Sequence, residues 1–118
     1  MTTIGERLPL TPLSFQILVA LADGSRHGYG IIKNIEEATG EPFPSSTGTL
    51  YLAIERLEQE GLIEEERSSD RRRRYYRLTS LGREVAAAET RRLATLLGVA
   101  RGKNLVGARQ LEALLRKR

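Results

Sequence analysis

The sequence contains no cysteine and no tryptophan, and only one histidine and one methionine among 118 residues. Without cysteine there are no disulfides, thiolate nucleophiles or cysteine-rich zinc sites. With His27 as the single histidine, a multi-histidine metal centre from one chain is excluded as well. Aromatics are few: Phe15, Tyr29, Phe43, Tyr51, Tyr75 and Tyr76, with none after Tyr76. Long apolar runs are also missing. The longest, Ile17 to Ala22, is six residues, against about 20 for a membrane-spanning helix, so no membrane association is expected. Met1 to Leu8 lacks a basic segment followed by an apolar one, so no secretion signal is read and the expected location is cytoplasmic. No metal or other cofactor is expected.

What is present suits one compact domain with a helical extension, since 118 residues at 40% hydrophobic content can bury a core without staples. The net charge of +4 is unevenly placed. Arg67, Arg71, Arg72, Arg73, Arg74 and Arg77 face Asp70 alone in one short segment, leaving the rest of the chain slightly acidic. Clustered guanidinium groups bind phosphate well because each can present a bidentate fork. Around the cluster, Leu62 to Arg67 and Arg74 to Thr79 have strand composition on either side of a turn-rich Ser68-Ser69-Asp70. The pattern predicts a β-hairpin with its tip at residues 68–73, holding Arg72, Arg73 and Arg74 toward a nucleic-acid backbone. Strand alternation places Tyr75 and Tyr76 on opposite faces, and register decides which packs inward; Tyr75 is counted with the interface. Glu64, Glu65 and Glu66 read as solvated charge, because no nucleophile or glycine-rich phosphate loop accompanies them, and no enzyme activity is expected.

Helix punctuation is clear along the chain. Thr11-Pro12 places an N-cap before a proline at the first helical position, and this helix, apolar nearly all round, should run to about Ala22. A second helix begins near Tyr29, just after His27, whose expected role is structural at that helix start, and stops at Gly40. Pro42 and Pro44 form a rigid connector, after which Ser45 or Ser46 caps a third helix. Leu50, Ala53, Ile54 and Leu57 give that helix one buried stripe, and Gly61 ends it. Ser80 is the expected cap of a fourth helix, weakened at Gly98 and broken between Gly102 and Gly107, with a short basic amphipathic helix beyond.

Three helices, a hairpin with a basic tip and one further long helix are the order of a winged helix-turn-helix: mainly α, with a small β-hairpin and a long C-terminal helix. In that arrangement the third helix enters the major groove. Its start offers Ser45, Ser46, Thr47 and Thr49, small hydroxyl residues able to bond to bases or phosphates, and Tyr51 at the groove edge. Arg56 and Lys33 are weaker candidates, and Arg56 has Glu60 or Glu55 as ion-pair partners within helical reach.

Four stretches together carry a family resemblance: His27-Gly28-Tyr29-Gly30-Ile31, Ser46-Thr47-Gly48-Thr49-Leu50-Tyr51, Arg56-Leu57-Glu58-Gln59-Glu60-Gly61-Leu62-Ile63 and Arg73-Arg74-Tyr75-Tyr76-Arg77-Leu78-Thr79. In this order they resemble the PadR family of bacterial transcriptional regulators over residues 8–84, and the short C-terminal part is similar to its small subgroup with a single dimerisation helix. The resemblance implies a homodimeric repressor on a palindromic operator in double-stranded DNA, with Tyr51 facing that DNA. It also implies room for a small-molecule effector, whose identity the residues do not give. Some small members carry a tryptophan in the last helix that stacks on flat ligands; this chain has none.

The division that follows is a DNA-binding domain at 8–79 and a dimerisation helix with a basic tail at 80–118. Leu93, Leu96, Leu97 and Ala100 form the expected self-association stripe, since they present more apolar surface than a lone helix can hide. A second reading keeps the winged helix but makes it a protein-protein interaction module, with the arginine hairpin docking on an acidic partner. Affinity for duplex DNA that falls steeply with salt separates the two.

Overall fold

The computed structural model describes residues 3–67 and 72–116. After a single 3-10 turn at Gly5–Arg7, the elements are α1 (Pro12–Ala20), β1 (Arg26–His27), α2 (Gly28–Thr39), α3 (Thr47–Gln59), β2 (Ile63–Glu66), β3 (Tyr75–Leu78), α4 (Ser80–Gly102) and α5 (Ala108–Arg116). This is the winged helix-turn-helix with a long C-terminal helix.

The caps are chemical rather than statistical. The Thr11 hydroxyl accepts from the Ser14 N–H, and Pro12 occupies the first helical position, where no amide is missed. Ser46, not Ser45, caps α3 by accepting from the Thr49 N–H. Gly40 and Gly61 leave their helices at φ of +73° and +76°, a conformation that costs other residues a Cβ clash.

Three boundaries differ from the sequence expectation. Helix α1 ends at Ala20 rather than Ala22, because the Leu21 amide is drawn back onto both Ile17 and Leu18 carbonyls and the turn tightens. Helix α2 starts one residue early, at Gly28. Thr79, not Ser80, caps α4: its oxygen accepts from the Gly82 N–H at 2.9 Å while its hydroxyl donates to the Gly61 carbonyl. The α4 end is where the sequence placed it: the helix holds Gly98 and runs to Gly102, and the chain turns at Lys103 to Gly107 into α5.

The hairpin gains a third strand, giving the antiparallel order β1-β3-β2. Ile63 pairs with Leu78 and Glu65 with Tyr76, so Ile63, Tyr76 and Leu78 share the inward face. Tyr76 is buried and Tyr75 is turned outward beside Glu66 and His27. The core gathers Ile17, Leu18 and Leu21 of α1 and its turn, Ile31 and Ile35 of α2, Leu50, Ile54 and Leu57 of α3, and Val85 of α4. Helix α1 touches α2, α3 and α4, which explains why it is apolar on almost every side. At the α4 start, a Cβ on Gly82 would overlap the Leu62 carbonyl, so only glycine lets this helix sit against the end of α3.

One buried charge was not anticipated. Glu89 is 1% exposed, accepts from the Leu10 N–H at 2.9 Å, and is bonded by the Arg92 guanidinium through two nitrogens. It ties the segment before α1 to the middle of α4. Among the described residues no helix is long and apolar enough to cross a membrane.

Candidate nucleic-acid interface

Helix α3 divides into two faces. Leu50, Ile54 and Leu57 are buried, and at 100° per residue the opposite ridge is Gly48, Leu52, Glu55 and Gln59, all exposed. Of the expected contacts at its start, Ser45 is half-buried whereas Ser46, Thr47 and Thr49 are exposed. Ser46 and Thr49 face each other with their hydroxyls 2.9 Å apart, so Ser46 spends its oxygen on the cap while Thr49 stands one turn inside the helix. Arg56 makes no ion pair with Glu55 or Glu60 among the described residues, contrary to the sequence expectation. It lies instead along a groove with Thr11, Ser14, Thr49 and Leu52.

The strands sort the wing's charges. Arg77 lies 2.9 Å from Glu64 and 3.7 Å from Glu66, both on the outward face. Arg74 stands 3.6 Å from Glu65, so part of its charge is already answered, although its side chain is 77% exposed. The acidic run therefore pairs with arginines of β3 and its approach. The expected tip was 68–73; residues 68–71, including Arg71, lie outside the described residues.

Arg72, Arg73 and Arg74 meet α2 and α3 at a single cavity of about 360 Å³, whose walls also include His27, Gly28, Tyr29, Tyr51 and Tyr76. Tyr51, 46% exposed, lays its hydroxyl against the first residue of α2. That end of α2 carries the positive pole of the helix, so it too favours an anion. The wing arginines and the α2 start thus present positive potential to one space, and α3 adds the Tyr51 hydroxyl.

His27 organises this junction. Its Nδ1 accepts from the Gly30 N–H at 3.0 Å, which caps α2, and its Nε2 lies 2.7 Å from Nη1 of Arg73. A neutral imidazole has one acceptor nitrogen and arginine only donates, so cap and wing compete for it. Tyr75 meets the ring edge-on at 5.2 Å, Tyr29 stacks on it at 6.4 Å, and Lys33 Nζ sits 5.3 Å from the Tyr29 ring. Contact with Tyr29, then with Glu36, raises the Lys33 ammonium above the usual lysine range, so it is a cation at neutral pH. Burial raises the Tyr76 phenol, which stays neutral beneath the wing.

Sequence reasoning gave His27 only a local role and passed over Leu52. The wing contact joins residues 46 apart, and no local pattern records it. Leu52 could have been found, since it is the apolar residue of α3 that falls outside the buried stripe.

The expected association residues Leu93, Leu96, Leu97 and Ala100 recur at three- and four-residue spacing along α4. Leu96 and Leu97 are exposed, as is Val99 beside them, while Leu93 and Ala100 are half-buried. Helix α5 adds exposed Leu114 and Leu115.

A family model described as the transcriptional regulator PadR-like family matches residues 17–88. A protein in transposon TN4556 of Streptomyces fradiae is 39% identical over 82 residues, which are 70% of this chain; the chain spans 23% of that relative and 64% of a second curated match. A PadR family transcription regulator from Clostridium difficile is similar in structure, with a TM-score of 0.70 and 25% identity over 81% of this chain and 100% of its own. The fold is also that of Bacillus subtilis PadR in complex with operator DNA, with a TM-score of 0.58 and 23% identity, covering 66% of this chain and 46% of that one.

Proposed function

Because the chain belongs to the PadR-like family of transcriptional regulators, we propose that it is a sequence-specific DNA-binding repressor, acting in the cytoplasm as a homodimer on a palindromic operator. The observation that carries this reading is the shared cavity at which Tyr51 of α3, the start of α2 and Arg72, Arg73 and Arg74 of the wing converge. Helix α3 enters the major groove with Thr47 and Thr49 leading and Ser45 and Ser46 behind them. Tyr51 and the wing arginines hold the flanking phosphates, with Tyr75 supporting the wing from its outward face. A phosphate oxygen arriving beside Arg73 accepts from its guanidinium and relieves the competition at His27.

In this reading residues 8–79 are the DNA-binding unit and 80–118 the dimerising one. Leu93, Leu96, Leu97 and Ala100 of α4 pair across a two-fold axis, which covers apolar surface and sets two α3 copies about one DNA turn, roughly 34 Å, apart. An effector would act by altering that spacing.

Selection of bound fragments from a random duplex library tests the reading. The expected result is an enriched motif with two-fold symmetry. Fragments without a common motif, or no retention of duplex at low salt, overturn it.

A further inference from the structure

We propose that Leu52 reads the 5-methyl group of a thymine in the major groove of each operator half-site; the inference rests on the DNA-binding reading above.

Leu52 lies in the middle of α3 yet is 69% exposed. It is offset by two positions from Leu50 and by two from Ile54, so at 100° per residue it points away from the buried stripe on both counts. One turn earlier on the same ridge is Gly48, where a Cβ would meet nothing closer than the Ser46 Oγ at 3.8 Å. The ridge is therefore low just before Leu52, and a groove floor can approach the helix there. One turn later is the exposed carboxylate of Glu55. That charge repels phosphate, so this ridge belongs over base edges rather than over the backbone.

The chemistry of the groove then selects the partner. Purine N7 and O6 and the exocyclic amines of adenine and cytosine are polar, and an isobutyl group set against them leaves them desolvated and unpaired. The thymine 5-methyl is the apolar feature that the major groove offers. A threonine hydroxyl can donate or accept, so Thr47 and Thr49 narrow the choice of base without fixing it, whereas Leu52 discriminates by a methyl group alone.

The test uses the full chain and the operator obtained by library selection. Each thymine of a half-site is replaced singly by uracil, which removes the methyl and leaves every hydrogen-bonding group. The wild-type protein is expected to bind about fourfold more weakly at one such position, the effect of one methyl-sized apolar burial. Leu52→Ala should bind the thymine and uracil versions of that position alike, with an unchanged salt slope because no phosphate contact is lost. Circular dichroism of Leu52→Ala should match wild type, since the side chain is outside the core. Indifference of the wild type to uracil at every position overturns the assignment while leaving DNA binding intact, as does a thymine preference that persists in Leu52→Ala. A selection that enriches no operator overturns this inference together with the reading beneath it.

Discussion

A methyl group on Gly28 would stand 2.7 Å from Cζ of Tyr51 and closer still to its hydroxyl oxygen, so Tyr51 rests on the first residue of α2 only because that residue has no side chain. Gly28→Ala should displace the tyrosine tip rather than the backbone, since the ring end can swing toward solvent. Duplex affinity should fall several-fold, corresponding to about 1 kcal/mol for one hydrogen bond, with stability in urea little changed. Tyr51→Phe should give the same loss. Unaltered titration curves in both variants would take Tyr51 out of the interface.

Replacing Arg72, Arg73 and Arg74 together by alanine should weaken binding to cognate and random duplexes alike. Each phosphate contact removed should reduce the slope of log affinity against log salt by about 0.9. Arg74→Ala should matter less than Arg73→Ala, because Glu65 stands 3.6 Å from the Arg74 guanidinium whereas Arg73 meets the His27 ring. An unchanged slope in the triple variant would remove the wing from the interface. Thr49→Ala, in contrast, should affect the cognate site selectively.

The proposed association stripe on α4 can be tested by charge. Leu93→Asp with Leu97→Asp should give a monomer in sedimentation equilibrium and lower operator affinity, since two half-sites would no longer be bound as a unit. A dimer of unaltered mass would place the interface elsewhere.

Glu89 makes a prediction about acid. The Arg92 hydrogen bond and the Leu10 amide hold its carboxyl below the usual carboxylate range, against the opposing effect of burial. A group with a depressed folded-state pKa stabilises the fold above its unfolded value, about 4.3, and that contribution is lost as pH falls through the folded one. Glu89→Ala should cost about 2–3 kcal/mol at pH 7, because a buried amide and a half-exposed guanidinium lose their acceptor. Glu89→Gln, which keeps an acceptor for Leu10, should cost less and flatten the stability decline as pH falls below about 4.3. Urea denaturation from neutral pH down into the acid range measures both; parallel pH curves for Gln and Glu would show that the charge is not coupled to folding.

Much of this architecture is legible in the residues, and the boundary between what is and what is not legible has a physical reason. Thr11-Pro12, Ser46, Gly40 and Gly61 mark helix ends because a cap is made within four residues of itself. The choice of Thr79 over Ser80 is different: both are hydroxyl residues, and the end of β3 decides, since the Thr79 amide is already bonded to the Leu62 carbonyl. Strand β1 is two residues long and exists only through its pairing with Tyr75 and Tyr76. The outward set of Tyr75 follows from that register, which the sequence leaves open. The arginine cluster was visible as composition, but its meeting with His27 and Tyr51 is a tertiary fact. Glu89 hid in an alanine-rich stretch; its signal was Arg92 three residues on, which any surface pair would share.

Among the described residues, β2 has a sheet neighbour on one side alone, so its far edge offers open amides and carbonyls of the kind that recruit stray strands. Glu64, Glu65 and Glu66 occupy that edge, and an identical strand laid alongside in full overlap would bring like charges together. The carboxylates thus disfavour extension of the sheet from the wing, a hazard that any open sheet edge carries.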